Sequence, residues 1–358
     1  MMSLTGIKAQ RSAIGIELDQ HEFRAVQLVR EGDTKRVHAW AVFPRLSNEH
    51  IAQDSPYGHP CESEMQWAMS ILGRRGFKGT AVSSAPQTRD CGQHVFELPP
   101  PESGAPLEQL ARIEVARARK CDPNAFEFGF WDLPQRGRSN ESMAVACASD
   151  AIKGMMQAYE AGGMSVAGID IPELAIMRGV LDTPSVGIAT PDPEIDAVLL
   201  VNWFSSLAIV TLGHRIVYVR RIAHGARRVW EHATNRFGLS ESSARAVFNQ
   251  DYSGEHAEQI ERVCSACWAA LSKDLASELD VAIAYVSHSF RMAPLGKVVM
   301  GGYGAMNQTL LSRLDSVLGI PVVASAPQAL TEAMAGQHDA ALPARLTYAY
   351  GLAARFDS

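Results

Sequence analysis

The alternation of apolar and polar positions divides this chain into two stretches of similar plan. Near the N-terminus it predicts a three-strand meander: Ser12 to Glu17, then Phe23 to Arg30, then Val37 to Phe43 after the turn at Glu31-Gly32-Asp33. The polar run Asn48 to Tyr57 interrupts the pattern. A helix from Glu64 to Arg75 and a short strand at Gly79 to Ser84 follow. From Gln93 to Leu98 a further strand is closed by three consecutive prolines. Helix Glu108 to Lys120, strands Phe126 to Leu133 and Ser142 to Ala148, and a helix from Ala151 to the stop at Gly162-Gly163 complete a strand-helix-strand-strand-helix unit that reads as an inserted subdomain. Asp170-Ile171-Pro172 opens a helix to Val180, with proline in its first turn. The proline-bearing stretch Asp182 to Glu194 then reads as a linker.

Beyond the linker the meander recurs as Ala197 to Asn202, Leu207 to Gly213 and Arg215 to Ile222. Helices 225 to 236, Glu241 to Gln250 and Ala257 to Phe290 come next. An apolar strand from Lys297 runs into the glycine turn Gly301-Gly302-Tyr303-Gly304. Helix Gln308 to Leu318, strand Ile320 to Ala324 and helix Pro343 to Arg355 end the pattern. Recurrence of a whole element order implies a duplicated α/β architecture, and a length of 358 residues fits two cores better than one.

Composition narrows the partners. The net charge is -6 and the basic residues are scattered, so nucleic acid is a poor fit, because neutralising phosphates needs clustered Lys and Arg. The one dense patch, from Arg112 to Lys120, lies in a helical pattern and reads as a solvated face. No signal-peptide pattern is visible at the N-terminus, and no apolar stretch reaches the roughly 20 residues a membrane span needs. The expected location is therefore the cytoplasm. Six cysteines are expected as thiols; the Cys264-Ser-Ala-Cys267 spacing has no second pair to complete a metal site and reads as buried helix thiols. None of the eleven histidines sits in a HExxH motif, and no GxSxG or Walker A sequence is present.

Several short motifs, in order, carry a resemblance: Ile14-Gly15-Ile16, Phe96-Glu97-Leu98-Pro99, Ile169-Asp170-Ile171-Pro172-Glu173-Leu174-Ala175, Phe237-Gly238-Leu239-Ser240, Met300 to Ala305, and Tyr350-Gly351-Leu352-Ala353-Ala354-Arg355. With these the chain resembles the PilM and MshI proteins of type IV pilus biogenesis, within the actin-like (hexokinase, Hsp70, actin) ATPase superfamily. The resemblance implies a two-lobed actin-like ATPase fold of duplicated ribonuclease-H-like domains with an inserted 1C subdomain. Its first lobe (IA) would span 1–89 and 167–190, the 1C subdomain 90–166, the second lobe (IIA) 191–225 and 293–358, and a helical subdomain (IIB) 226–292. It also implies a scaffold that grips the cytoplasmic tail of a PilN-like bitopic inner-membrane protein near the 1C subdomain. Membrane contact would come only through that partner, which makes the chain peripheral at the inner membrane. A pilus motor ATPase and a second copy of the chain are further candidate partners. The exposed arginines Arg112, Arg117 and Arg119 are partner-contact candidates on charge alone. A division-type relative such as FtsA would add an amphipathic membrane helix after its last motif, whereas this sequence ends at Arg355-Phe356-Asp357-Ser358.

Nucleotide in this superfamily lies between the lobes, held by two glycine hairpins, a nucleoside helix and an adenosine turn. Hairpin glycines let backbone N–H groups approach phosphate, and carboxylates organise Mg2+. Here the first hairpin reads Glu17-Leu18-Asp19-Gln20-His21-Glu22, where three carboxylates would face a like-charged polyphosphate. The second reads Asn202-Trp203-Phe204-Ser205-Ser206, with Asn202 where the family has Asp and Phe204 where it has glycine. In the nucleoside helix, Arg245 and Phe248 stand where the family has Glu and Lys. Only the adenosine turn Gly301-Gly302-Tyr303-Gly304 keeps its glycines, either for residual nucleoside contact or simply as a tight strand-to-helix turn. The expectation is a pseudo-ATPase with no cofactor. The alternative is a nucleotide-binding ATPase whose ATP and Mg2+ state regulates pilus or secretion-system assembly.

Overall fold

A computed structural model describes residues 10–19, 21–32, 34–46, 59–134, 140–184, 193–250, 257–291, 293–337 and 339–355. The polar stretch 48–57 and most of the 182–194 linker lie outside these residues. Two compact units divide the chain. The first takes Met1–Gly187, Ala326–His338 and Leu346–Ser358, and the second takes Ile188–Ser325 and Asp339–Arg345.

In the first unit, β1 (Gln10–Arg11), β2 (Ile14–Leu18), β3 (Glu22–Glu31), β4 (Thr34–Pro44), α1 (Glu62–Arg74) and β5 (Ala81–Ser84) build most of a six-stranded sheet. The meander β2-β3-β4 is antiparallel, and β5 joins β2 in parallel. The sheet is completed by β9, described below. The central strand β2, Ile-Gly-Ile-Glu-Leu, is buried along its first four residues, which is why Ile14, Gly15 and Ile16 form an apolar run, with Glu17 a buried carboxylate at its end.

A second, three-stranded sheet carries β6 (Cys91–Glu97), β7 (Phe126–Asp132) and β8 (Glu141–Ala148), in the order β6-β8-β7, with α2 (Leu107–Arg119) and α3 (Ser149–Ala161). Its two faces part cleanly because side chains alternate along a strand. Ala144 and Ala146 of β8 pack with Val115 and Ala116 of α2. Val145 and Cys147, of opposite parity, join the core beneath the six-stranded sheet with Ile152, Met155 and Tyr159 of α3. The strand β9 (Ser165–Ile169), which the sequence pattern does not announce, pairs in parallel with β5 and leads into α4 (Pro172–Leu181).

The second unit repeats the plan with β10 (Ile195–Val201), β11 (Ser206–Leu212), β12 (Arg215–Ile222), α5 (Arg227–Glu231), α6 (Glu241–Asn249), α7 (Ala257–Ser289), β13 (Leu295–Gly302), α8 (Gln308–Leu318) and β14 (Val322–Ala324). Its sheet order β12-β11-β10-β13-β14 matches β4-β3-β2-β5-β9 strand for strand: an antiparallel meander, then two parallel neighbours. The predicted helix 225 to 236 is α5 followed by a π-helical turn, His232–Arg236. Cys264 and Cys267 are buried in the core face of α7, and burial pushes the Cys267 thiol up to about 12.

Beyond β14 come α9 (Gln328–Ala333), α10 (Leu342–Arg345) and α11 (Thr347–Ala353). The sequence predicts one helix from Pro343 to Arg355 and groups it with the second lobe. Instead the helix is broken, and α9 and α11 belong to the first unit. The reason is a close approach. A Cβ on Gly15 of β2 would collide with the Ala349 carbonyl and the Ala353 amide of α11, so glycine at 15 lets that helix lie directly on the central strand.

Candidate functional site

The turn between β2 and β3 is held from within. Asp19 donates its backbone N–H to the Glu22 carbonyl at 3.0 Å, and Arg45 donates through Nη1 to the Asp19 carbonyl at 3.3 Å. Arg45 is itself clamped by Glu64, with Nε to Oε1 at 2.6 Å and Nη2 to Oε2 at 2.5 Å. His21 stands exposed at the tip, and Gln20 lies outside the described residues.

The three carboxylates of this turn converge on one cation, Arg24 of β3, whose side chain is 0% exposed. Its Nη1 donates to Glu17 Oε1 at 2.6 Å, its Nε donates to Glu22 Oε2 at 3.1 Å, and its Nη2 lies 3.8 Å from Asp19 Oδ2. Glu17 and Asp19 are themselves buried. The picture of three carboxylates aimed outward is therefore corrected: they wrap an internal guanidinium. Burial raises the Glu17 carboxyl to about 7, because desolvation outweighs the attraction of Arg24, and the Asp19 and Glu22 charges push the same way. Arg24 is the residue that sequence reasoning missed. Its signal was present: an arginine followed by the apolar run of its strand, two residues beyond a turn bearing three acids.

The equivalent turn of the second unit, between β10 and β11, is filled by rings. It is closed by Asn202, which donates its backbone N–H to the Ser205 carbonyl at 3.1 Å. Trp203 turns inward and meets Phe248 of α6 edge-on at 5.2 Å, Tyr303 at 5.9 Å and Trp230 of α5 at 6.4 Å. Phe248 stacks in turn on Trp268 of α7 at 6.2 Å. Phe204 points the other way, 43% exposed, under the Arg227 guanidinium at 4.7 Å from its centroid. The neighbouring residues Trp203 and Phe204 thus do different work, which their chemistry alone did not predict.

The glycine turn joins this cluster. Gly302 ends β13 at φ 67°, where a Cβ would strike the Val201 carbonyl of β10, so the position requires glycine for packing alone. Tyr303 and Gly304 are buried, Gly301 is buried beside Leu200, and Asn307 caps α8 through the Leu310 N–H at 2.8 Å.

The three candidate arginines on α2 separate. Arg112 Nη1 donates to the Pro123 and Phe126 carbonyls at 3.0 and 3.2 Å and covers the Phe128 ring at 4.8 Å. Arg119 Nη1 donates to the Ala146 carbonyl at 3.3 Å. Both tie α2 to its sheet. Arg117 alone stays at the surface, paired with Glu114 at 2.8 Å.

One further feature of the first unit was not legible in the sequence. A cavity of about 320 Å3 opens between the three-stranded sheet, α3 and the β9–α4 junction. Phe128, Val145, Ile152, Met156, Ile169 and Ile171 supply apolar walls, and Cys91, Cys147 and Glu127 line the same space. Asp170 is fixed at its edge by Arg178 at 2.9 Å and by the Ile171 N–H at 2.8 Å.

No protein-family model matches the chain, and no curated protein matches it. Among solved structures it is similar to the PilM-PilN type IV pilus biogenesis complex, with a TM-score of 0.74 at 17% identity over 96% of this chain and 98% of that one. It is also similar to the ethanolamine utilization protein EutJ from Carboxydothermus hydrogenoformans, with a TM-score of 0.52 at 12% identity over 98% and 91%. The chain has the actin-like ATPase fold. Among the described residues, no helix of this actin-like chain is long and apolar enough to cross a membrane.

Proposed function

We propose that this protein is a cytoplasmic scaffold of a type IV pilus or related secretion machine. It takes the cytoplasmic tail of a PilN-like bitopic inner-membrane protein and no longer uses nucleotide. The observation that carries this reading is a contrast inside the first unit. The hairpin that would cradle phosphate is occupied by the protein's own Arg24, while a cavity of about 320 Å3 with apolar walls stands open beside the three-stranded sheet. An extended tail bearing two or three apolar side chains fits such a space, since a mostly apolar concavity with a few polar groups is the usual form of a specific site. The likeness to a complex whose name includes PilN supports the same class of partner.

The nucleotide half of the proposal rests on both turns. A polyphosphate needs free backbone N–H groups and cations, and Arg24 is already surrounded by three carboxylates while Trp203 ties the second turn to Phe248 and Tyr303. Arg117 is the one candidate arginine left to meet an acidic partner group from the surface.

Fluorescence anisotropy with a peptide of the cytoplasmic tail of a PilN-like protein tests the scaffold. Binding is expected, and Met156→Glu at the cavity wall weakens it by about tenfold or more, about 1.4 kcal/mol. If no peptide binds and membranes yield no bitopic partner, the scaffold reading fails. Calorimetry with ATP and Mg2+ tests the other half: saturable heat with turnover that Glu17→Ala and Asp19→Ala abolish would restore the ATPase.

A further inference from the structure

The cavity is also lined by a pair of thiols whose chemistry the tail-binding reading does not use. Cys91 of β6 and Cys147 of β8 are directly opposite partners in the antiparallel ladder, and both are reduced. Directly opposed residues of such a ladder have Cα atoms about 4.5–5.5 Å apart. That separation falls inside the roughly 4.4–6.8 Å window of a disulfide, so closing a bond between them needs little backbone movement. Each thiol is nearly buried, at 2% and 4% exposure, yet both line the cavity of about 320 Å3. Glu127 of β7 opposes Cys147 from the other side, so the row Cys91, Cys147, Glu127 crosses the sheet on its cavity face. The Glu127 carboxylate is held by the Ser149 hydroxyl at 3.1 Å.

The geometry points to a reactive dithiol at Cys91 and Cys147, open through the cavity to a peroxide of the size of hydrogen peroxide, and closing to a cross-strand disulfide. The sulfurs differ in readiness. A hydrogen bond from Cys91 lowers the Cys147 thiol below its ordinary range, the Arg119 guanidinium pulls the same way, and burial and Asp90 oppose them. Cys147, which lies in the middle of that row with Cys91 on one side and Glu127 on the other, is assigned the first attack. Its thiolate attacks one peroxide oxygen, the O–O bond breaks, and the departing hydroxide takes a proton to leave as water, so Cys147 becomes a sulfenic acid. Cys91 sulfur then attacks Cys147 sulfur, the S–O bond breaks, and the second oxygen leaves with the Cys91 proton as water. Two electrons pass from the thiol pair to the peroxide; one disulfide and two waters result.

Cys61 and the exposed Cys121 serve as internal comparisons, being more accessible but without a thiol opposite them. The reduced full-length protein is treated with stoichiometric hydrogen peroxide, the remaining thiols are alkylated after denaturation, and peptides are mapped. A Cys91–Cys147 disulfide as the dominant product is expected. In Cys91→Ser, Cys147 should accumulate as a sulfenic acid captured by dimedone, and in Cys147→Ser neither product should form. Mapping of the unsubstituted protein decides the matter even if a variant fails to fold: alkylated Cys91 and Cys147 alongside oxidised Cys61 or Cys121 would overturn the proposal. The readout uses no partner, so its failure is distinct from a failure of tail binding.

Discussion

The duplicated units place the β2–β3 turn and the β10–β11 turn at equivalent points, each at the end of a central strand, and the protein fills the two with opposite chemistry. In the first unit one buried guanidinium gathers three carboxylates. In the second, Trp203 is set among Phe248, Tyr303 and Trp230. The difference teaches that an actin-like hairpin can be closed either ionically or with aromatic packing. The ionic solution removes charges from water and is sensitive to the loss of any member and to pH, whereas the aromatic one rests on area and ring geometry.

Breaking the ionic turn has the largest expected effect. Arg24→Met leaves Glu17, Asp19 and Glu22 crowded without their cation, and denaturant unfolding should show a loss of about 3–5 kcal/mol at neutral pH, partly recovered in acid. Next comes the aromatic turn, where Trp203→Ala opens space beside Phe248 and Tyr303; a loss of about 3 kcal/mol is expected, unchanged between pH 5 and 8. The comparison is sharpened by Glu17→Gln. The Glu17 carboxyl lies near 7 in the folded chain against an ordinary 4.5, so the native state binds more protons than the unfolded chain between those values. This group's contribution therefore weakens stability as pH rises through that window, by roughly 3 kcal/mol in total, and acts fully above it. The substitution should flatten the measured stability profile there by a comparable amount. The smallest effect belongs to Phe204→Ala, which removes an exposed ring and its Arg227 contact and should cost about 0.5 kcal/mol.

Much of the architecture was legible because it depends on local pattern. The two meanders follow from apolar runs and turn residues, and the absence of glycine from both turns is read directly from the chain. What escaped were features assembled from distant positions. Arg24 reads locally as the polar side of an alternating strand; only the fold of the turn over β3 shows that it is buried together with Glu17 and Asp19. Trp203, Phe248 and Tyr303 belong to three separate elements, so their convergence has no trace in spacing. The strand Ser165–Ile169 is short and mostly half-exposed, and it is a strand because β5 offers an edge to pair with. Arg112 and Arg119 look like a charged helix face, but the neighbouring sheet presents carbonyls within their reach.

By itself the sequence determined the element order, the repetition of one plan in two units, and the absence of glycine from both hairpin turns, because hydrophobic periodicity and backbone freedom are properties of neighbouring residues. Only the tertiary structure decided what occupies those turns, where Thr347–Ala353 packs, and that two cysteines 56 positions apart face each other across a ladder beside a cavity. Those outcomes depend on burial and on pairs brought together by sheet register, and desolvation, packing and strand pairing act only once distant segments share the same space.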